Sequence, residues 1–224
     1  INVGQIKSKI TSKTKALLIP SLIGNVPNLR EIKKICDEKS LVFIEDSCDT
    51  LGASFGGFPT GSYSDISTTS FYASHVITAG GTGGMICVND EDLKTKCKVL
   101  RGWGRSSAAD ESEDLEKRFK FEVDGIKYDS KFIYSDLGYN FLTTDISAAF
   151  GLEQLKKLNN FIENRIKNYK TLMNFFSRYE RFFVLPKQSP EVRTGWLAFP
   201  LTIKNGAPFT RDSLTIYLEK NDIQ

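Results

Sequence analysis

The sequence predicts an α/β fold with a mainly parallel sheet, followed by the beginning of a smaller α+β region. Three observations predict it. ALLIP (16–20) and LVFIED (41–46) are short apolar segments separated by LREIKKICDEK (29–39), whose Leu29, Ile32, Ile35 and Cys36 fall on one helical face. LVFI is a continuous apolar run, the pattern of a strand covered on both sides. Strand, helix and strand in this order form a βαβ unit, whose two strands run parallel.

The later elements follow in order. ISTTSFY (66–72) reads as a third strand, and TAGGTGG (78–84) places four glycines in a tight connection to the strand MICVND. That glycine pattern is not a GxGxxG turn opening a helix. Asn89 or Asp90 is suited to cap a helix that turns Leu93, Cys97 and Leu100 inward and ends near Gly102 or Gly104. SSAADESEDLE (106–116) is polar and acidic and reads as an exposed excursion. From Thr144 the apolar positions Ile146, Ala149, Leu155, Leu158, Ile162, Ile166 and Tyr169 define a long amphipathic helix with a bend near Asn159–Asn160. GWLAFPLTIK (195–204) reads as a strand, and a helix from Thr210 directs Leu214, Tyr217 and Leu218 inward. These elements divide into a large domain over residues 1–165 and the end of the long helix with the start of a small domain over 166–224. No internal repeat and no low-complexity segment is present.

Composition narrows the function classes. With 224 residues, 40% hydrophobic and 25% charged, the chain is an ordinary globular sequence, and it has no apolar run long enough to span a bilayer. A net charge of +3, from 30 basic and 27 acidic residues, is too small to indicate nucleic acid but would not repel a diphosphate. Cys36, Cys48, Cys87 and Cys97 show no CxxC spacing, which suits reduced thiols in the cytoplasm and suggests no zinc site. The first residues do not form a signal peptide, and the absent initiator Met and the abrupt end at NDIQ lead us to expect truncation at both ends.

Chemistry-bearing residues gather where strands end. Asp46 closes the second strand, and ligands of open α/β sheets bind outside the carboxyl ends of strands. EDSCDTLGA adds Glu45 and Asp49, although one acid capping a turn and the others in solvent would also explain the group. Ser70 ends the third strand; it could donate to a phosphate or simply bond local backbone. His75, in the loop that follows, is the single histidine; a lone histidine is commonly structural, but its titration range near neutrality makes it a usable proton carrier beside a ligand.

Taken together, LVFIEDSCDTLGASFGGFPTGSYSDIS, SFYASHVITAGGTGG and YSDLGYNFLTTDISAAFGLEQL resemble the DegT/DnrJ/EryC1/StrS family of sugar aminotransferases and dehydratases over essentially the whole chain. The resemblance implies fold-type I of the pyridoxal-phosphate (PLP) enzymes. It implies that Asp46 pairs with the cofactor's pyridinium nitrogen, Asp49 approaches the ring hydroxyl where aminotransferases commonly carry Gln, and Ser70 binds the phosphate. Asn140, in GYN, matches a residue that reaches the neighbouring subunit's cofactor, which implies a homodimer with shared sites. It further implies that a phosphate-binding turn precedes residue 1, so that this piece alone is inactive.

Five residues after Ser70, aminotransferases of the family carry the Schiff-base lysine, and this chain has His75. Imidazole cannot form that Schiff base, so the cofactor is expected non-covalently, as pyridoxamine phosphate (PMP). The family's branch with this substitution consists of C-3 dehydratases of nucleotide-activated 4-keto-6-deoxyhexoses, which the C-terminal GWLAFPLTIKNGAPFTRDSLTIYLEKNDI also resembles. The expected activity is therefore PMP-dependent C-3 dehydration of a nucleotide sugar, with His75 as acid/base and glutamate as a possible amino donor. One kind of dehydratase in this branch holds a [2Fe–2S] cluster through one cysteine near Cys48 and three after the WGR segment. GWGRSSAADESEDLEKRF contains no cysteine, so no cluster is expected, although the flanking sequence resembles the cluster-bearing kind. The alternatives are a nucleotide-sugar aminotransferase and a lysine-less, non-catalytic sugar-binding homologue.

Overall fold

A computed structural model of the chain describes residues 1–109 and 114–223. Its centre is a four-stranded sheet of β1 (Ala16–Pro20), β2 (Val42–Asp46), β5 (Ile66–Ser70) and β6 (Gly84–Val88), hydrogen-bonded in that order. β1, β2 and β5 run parallel, and β6 is antiparallel to β5. The short strands β3 (Ser54–Phe55) and β4 (Phe58–Pro59) form a hairpin between β2 and β5. In the parallel register, Asp46 lies opposite Pro20 on one side and Thr68 on the other. The expected α/β class and the expected βαβ unit are both present.

α1 (Val3–Lys9) precedes β1, and α2 (Leu29–Lys39) crosses between β1 and β2. The Asn28 side chain caps α2 by accepting the Glu31 N–H at 3.1 Å, and Ser40 ends it in the left-handed conformation. The face read from the sequence is the buried one: Leu29, Ile32 and Cys36 pack with Ile19, Phe43 and Phe55. Each such side chain contributes about 1.5–3 kcal/mol by leaving water. The opposite face of the sheet differs from expectation. Phe43 and Glu45 are buried, whereas Val42 and, on β1, Leu18 are exposed, because α2 covers only one side of these strands among the described residues.

Asp90 caps α3 (Glu91–Arg101) by accepting the Leu93 N–H at 2.7 Å, and Gly102 closes it. Leu93 is exposed rather than inward, and Cys97 and Leu100 are half-buried. Of the acidic excursion, residues 110–113 lie outside the described residues; α4 (Leu115–Arg118), β7 (Phe121–Val123) and β8 (Ile126–Tyr128) follow it. Thr144 caps α5 (Asp145–Leu155), and the chain breaks at Lys156–Lys157, slightly ahead of the expected bend, before α6 (Leu158–Phe176). Ile162 of α6 is buried, while Ile146 and Leu155 of α5 are exposed.

The C-terminal region is less regular than its pattern. β9 (Phe183–Val184) pairs with β11 (Thr202–Ile203), β10 (Val192–Arg193) pairs with β3, and α7 (Arg211–Glu219) closes the described chain. Only the end of GWLAFPLTIK is strand. Trp196 takes a positive φ of 43°, and the Trp196 and Leu197 carbonyls accept Arg165 Nη1 at 3.1 and 3.2 Å instead of a strand partner. In α7, Leu214 is half-buried but Tyr217 is exposed, so the inward stripe is narrower than read. Thr194 Oγ1 donates to the Gly24 carbonyl at 2.7 Å and the Leu197 N–H donates to Ile23 O at 3.0 Å, which fastens this segment to the turn after β1. Among the described residues no helix is long and apolar enough to cross a membrane.

Candidate functional site at the carboxyl ends of β2 and β5

β2 delivers its acids differently from a solvated cluster. Alternation along the strand turns Glu45 into the core, where its two oxygens accept the Ser47 hydroxyl and the Gly61 N–H, each at 2.8 Å. Burial raises the Glu45 pKa, and these two hydrogen bonds pull it back. Glu45 is structural. Asp46 points the other way, half-buried, and its Oδ1 accepts the Cys48 N–H at 3.1 Å. The Cys48 thiol also faces this carboxylate, and Oδ2 accepts no N–H among the described residues.

Asp49 is reached through a turn held by the Ser47 N–H on Thr68 O at 2.9 Å and the Thr50 N–H on Ser47 O at 3.0 Å. Its Oδ2 accepts the Ile23 N–H at 2.7 Å, and its Oδ1 lies 3.1 Å from His75 Nδ1. Despite this short separation, Nδ1 is buried without a completed hydrogen bond.

The His75 loop is anchored on both sides. The Phe71 N–H donates to Gly83 O at 2.9 Å, the Ala79 N–H to Phe71 O at 3.0 Å, and Val76 and Ile77 are buried. Ser70 Oγ accepts the Tyr72 N–H at 3.1 Å, the local bond foreseen for a strand serine, and this leaves its hydroxyl proton free for an acceptor such as phosphate. The His75 N–H reaches Tyr72 O at 3.2 Å, and the Tyr72 ring meets the imidazole edge to face at 6.4 Å. Tyr72 and Ile23 are the members that sequence reasoning missed. Tyr72 carried a weak signal by standing between Ser70 and His75; the Ile23 amide carried none, because only the sheet brings the turn after β1 beside the turn after β2.

Asn140 is placed elsewhere. It is exposed and bridges Gly102 at the end of α3, next to the Trp103 N–H on Tyr139 O at 2.9 Å. No hydrogen bond among the described residues joins it to Asp46, Asp49, Ser70 or His75. Cys48 follows Asp46 in a turn, not in a regular element, 4.0 Å from Thr68 Oγ1. Burial pushes its thiol up to about 11, with Asp46 adding to the shift.

A carboxylate at one strand end, a serine hydroxyl at the next and an imidazole in the following loop is the arrangement expected from the family resemblance, and the DegT/DnrJ/EryC1/StrS aminotransferase family model matches residues 1–224. The chain belongs to this family. It is 35% identical over 227 residues to the lipopolysaccharide biosynthesis protein RfbH of Salmonella typhimurium, covering 100% of this chain and 52% of that protein. It is 33% identical over 217 residues to the GDP-4-keto-6-deoxy-D-mannose 3-dehydratase of Yersinia pseudotuberculosis, covering 96% and 52%. The solved structure of the E. coli GDP-4-keto-6-deoxy-D-mannose-3-dehydratase with bound hydrated PLP superposes with a TM-score of 0.85 at 28% identity, over 100% of this chain and 56% of that one. The fold is thus that of the aminotransferase-like PLP enzymes, and the chain spans about half the length of the curated relatives it matches.

Proposed function

We propose that the protein containing this chain is a PMP/PLP-dependent C-3 dehydratase of a nucleotide-activated 4-keto-6-deoxyhexose. The observation that carries the reading is His75: an imidazole, not an amine, faces Asp49 in the loop after Ser70. The dehydratase relatives support it. The residues fit the cofactor, because Asp46 keeps a carboxylate oxygen that takes no N–H from the protein for the pyridine nitrogen, and Ser70 keeps a free hydroxyl proton for the phosphate. When bound, the cofactor supplies an electron sink that lets the sugar's C-3 hydroxyl depart.

The chain's own part is binding and proton transfer. Asp46 would pair with the ring nitrogen and favour its charged form, and Ser70 would orient the phosphate. His75 would accept at Nε2 the proton released from the cofactor's C4′ carbon and deliver it to the departing C-3 oxygen, which leaves as water. Having no primary amine, His75 cannot capture the cofactor covalently, so the cofactor would be held here by non-covalent contacts such as those of Asp46 and Ser70. In the same reading Asn140 reaches the cofactor of a second copy in a homodimer. Residues 1–165 belong to the large domain and 166–224 to the start of the small one.

The test is a product assay on the intact protein with PMP, glutamate as amino donor and GDP-4-keto-6-deoxymannose. A 3-deoxy sugar is the expected product. A 4-amino sugar that keeps its C-3 hydroxyl, with no deoxy product, overturns the proposal in favour of an aminotransferase.

A further inference from the structure

The carboxylate of Asp49 lies between the Ile23 amide and the His75 imidazole. Ile23, in the turn after β1, donates its N–H to Oδ2 at 2.7 Å, and Ile23 is itself held in the left-handed region, with φ 54°, by the Leu197 N–H on its carbonyl. A β-branched residue takes that conformation only where the surroundings impose it. Asp49 is thereby fixed, with Oδ1 3.1 Å from the buried Nδ1 of His75. Nδ1 has no hydrogen-bond partner among the described residues, and the Asp49 oxygen is the acceptor within reach of it.

We propose that Asp49 is the positioning residue for His75. It accepts the Nδ1–H, which selects the tautomer whose Nε2 carries a lone pair and turns that nitrogen outward as the proton acceptor. Neutral imidazole has one N–H, so fixing it at Nδ1 is what makes Nε2 a base. Tyr72, edge to face at 6.4 Å, limits the ring's swing from the other side. One Asp49 oxygen accepts the Ile23 N–H and the other faces His75 Nδ1, which directs its work to the imidazole rather than to a ring hydroxyl. The role of Nε2 in catalysis rests on the dehydratase reading; the pairing and the tautomer do not.

Asp49→Asn separates the two. Its amide oxygen can still accept the Ile23 N–H, which preserves the fold of the turn, while its NH₂ then faces Nδ1 and favours the opposite tautomer, with the proton on Nε2. The intact protein is labelled with 15N-histidine, and His75 is assigned by the signals lost in His75→Asn. At a pH where the ring is neutral, the expected result is the Nδ1–H tautomer in the wild type and the Nε2–H tautomer in Asp49→Asn, with kcat reduced on the order of 10²-fold and KM little changed. Asp49→Glu should recover part of both. An Nε2–H tautomer in the wild type, or a tautomer unmoved by Asp49→Asn, overturns the proposal. If the tautomers behave as expected but the wild type does not dehydrate the sugar, the pairing stands and the functional reading falls.

Discussion

Glu45 Oε2 accepts the Gly61 N–H at 2.8 Å within a side chain that has no exposed surface, so a carboxyl group at the end of β2 holds the β4–β5 turn in place. Glu45→Ala leaves the Gly61 N–H without its acceptor and should cost about 1–3 kcal/mol, whereas Glu45→Gln can keep an oxygen on that N–H and should cost less. The pH dependence has a definite sign. Burial raises the folded pKa above the unfolded value, so the stabilising contribution of the proton is complete below the ordinary carboxylate range and is lost as pH rises through the raised folded value. Denaturant titrations at about pH 4 and about pH 7.5 should therefore show the wild type losing stability relative to Glu45→Gln at the higher pH. An unchanged difference would contradict a raised Glu45.

Cys48 offers a second check, on the electrostatics beside Asp46. With its thiol pushed up to about 11 by burial and by Asp46, only about a thousandth of it is thiolate at pH 8. Alkylation by iodoacetamide, followed residue by residue by mass spectrometry, should be slow at Cys48 and accelerate steeply above about pH 10. Asp46→Asn should speed it at pH 8. Rapid modification of wild-type Cys48 near neutrality would show that the thiol is neither desolvated nor faced by Asp46.

The segment that carries Asn140 depends on two glycines in face-to-face contact. A Cβ at Gly104, where φ is +81°, would fall 1.9 Å from the Asp136 carbonyl oxygen, and one at Gly138 would fall 2.0 Å from the Gly104 nitrogen. Both collisions are with backbone, so neither relaxes by a side-chain rotation. Gly104→Ala and Gly138→Ala should each destabilise by about 1–3 kcal/mol, with the double variant less than additive because both separate the same two strands of chain. Thermal melts of the three variants check this. Full additivity would mean that the two glycines do not meet.

The parts of the fold set by local pattern were legible in the sequence, and the parts set by distant contacts were not. Asn28, Asp90 and Thr144 were read or available as caps, because a short polar side chain before an apolar stripe has a local cause. β1 and α2 likewise occupy the segments expected of them. The apolar stretch 195–201 imitates a strand, but its carbonyls are taken by Arg165 from α6, a partner 31 and 32 residues away. Asp46 and Ser70 stand at the ends of β2 and β5 and His75 in the loop that follows, the positions the strand pattern gives them. The alternative of one acid capping a turn with the others in solvent does not hold: Glu45 is in the core, Asp46 is half-buried on the Cys48 amide, and Asp49 accepts the Ile23 N–H beside His75. Strand alternation could have separated Glu45 from Asp46; nothing local pointed Asp49 at the turn after β1.

The central claim is that His75 stands where a Schiff-base lysine would. The most direct measurement is borohydride reduction of the intact protein with PLP, followed by peptide mass mapping, for the wild type and His75→Lys. The account predicts no pyridoxyl group on the wild-type peptide carrying residue 75, and a dominant pyridoxyl adduct at position 75 in the variant, with a new visible absorption band before reduction. A dominant adduct on another lysine of the wild type, or a His75→Lys variant that gains neither band nor adduct, would contradict it.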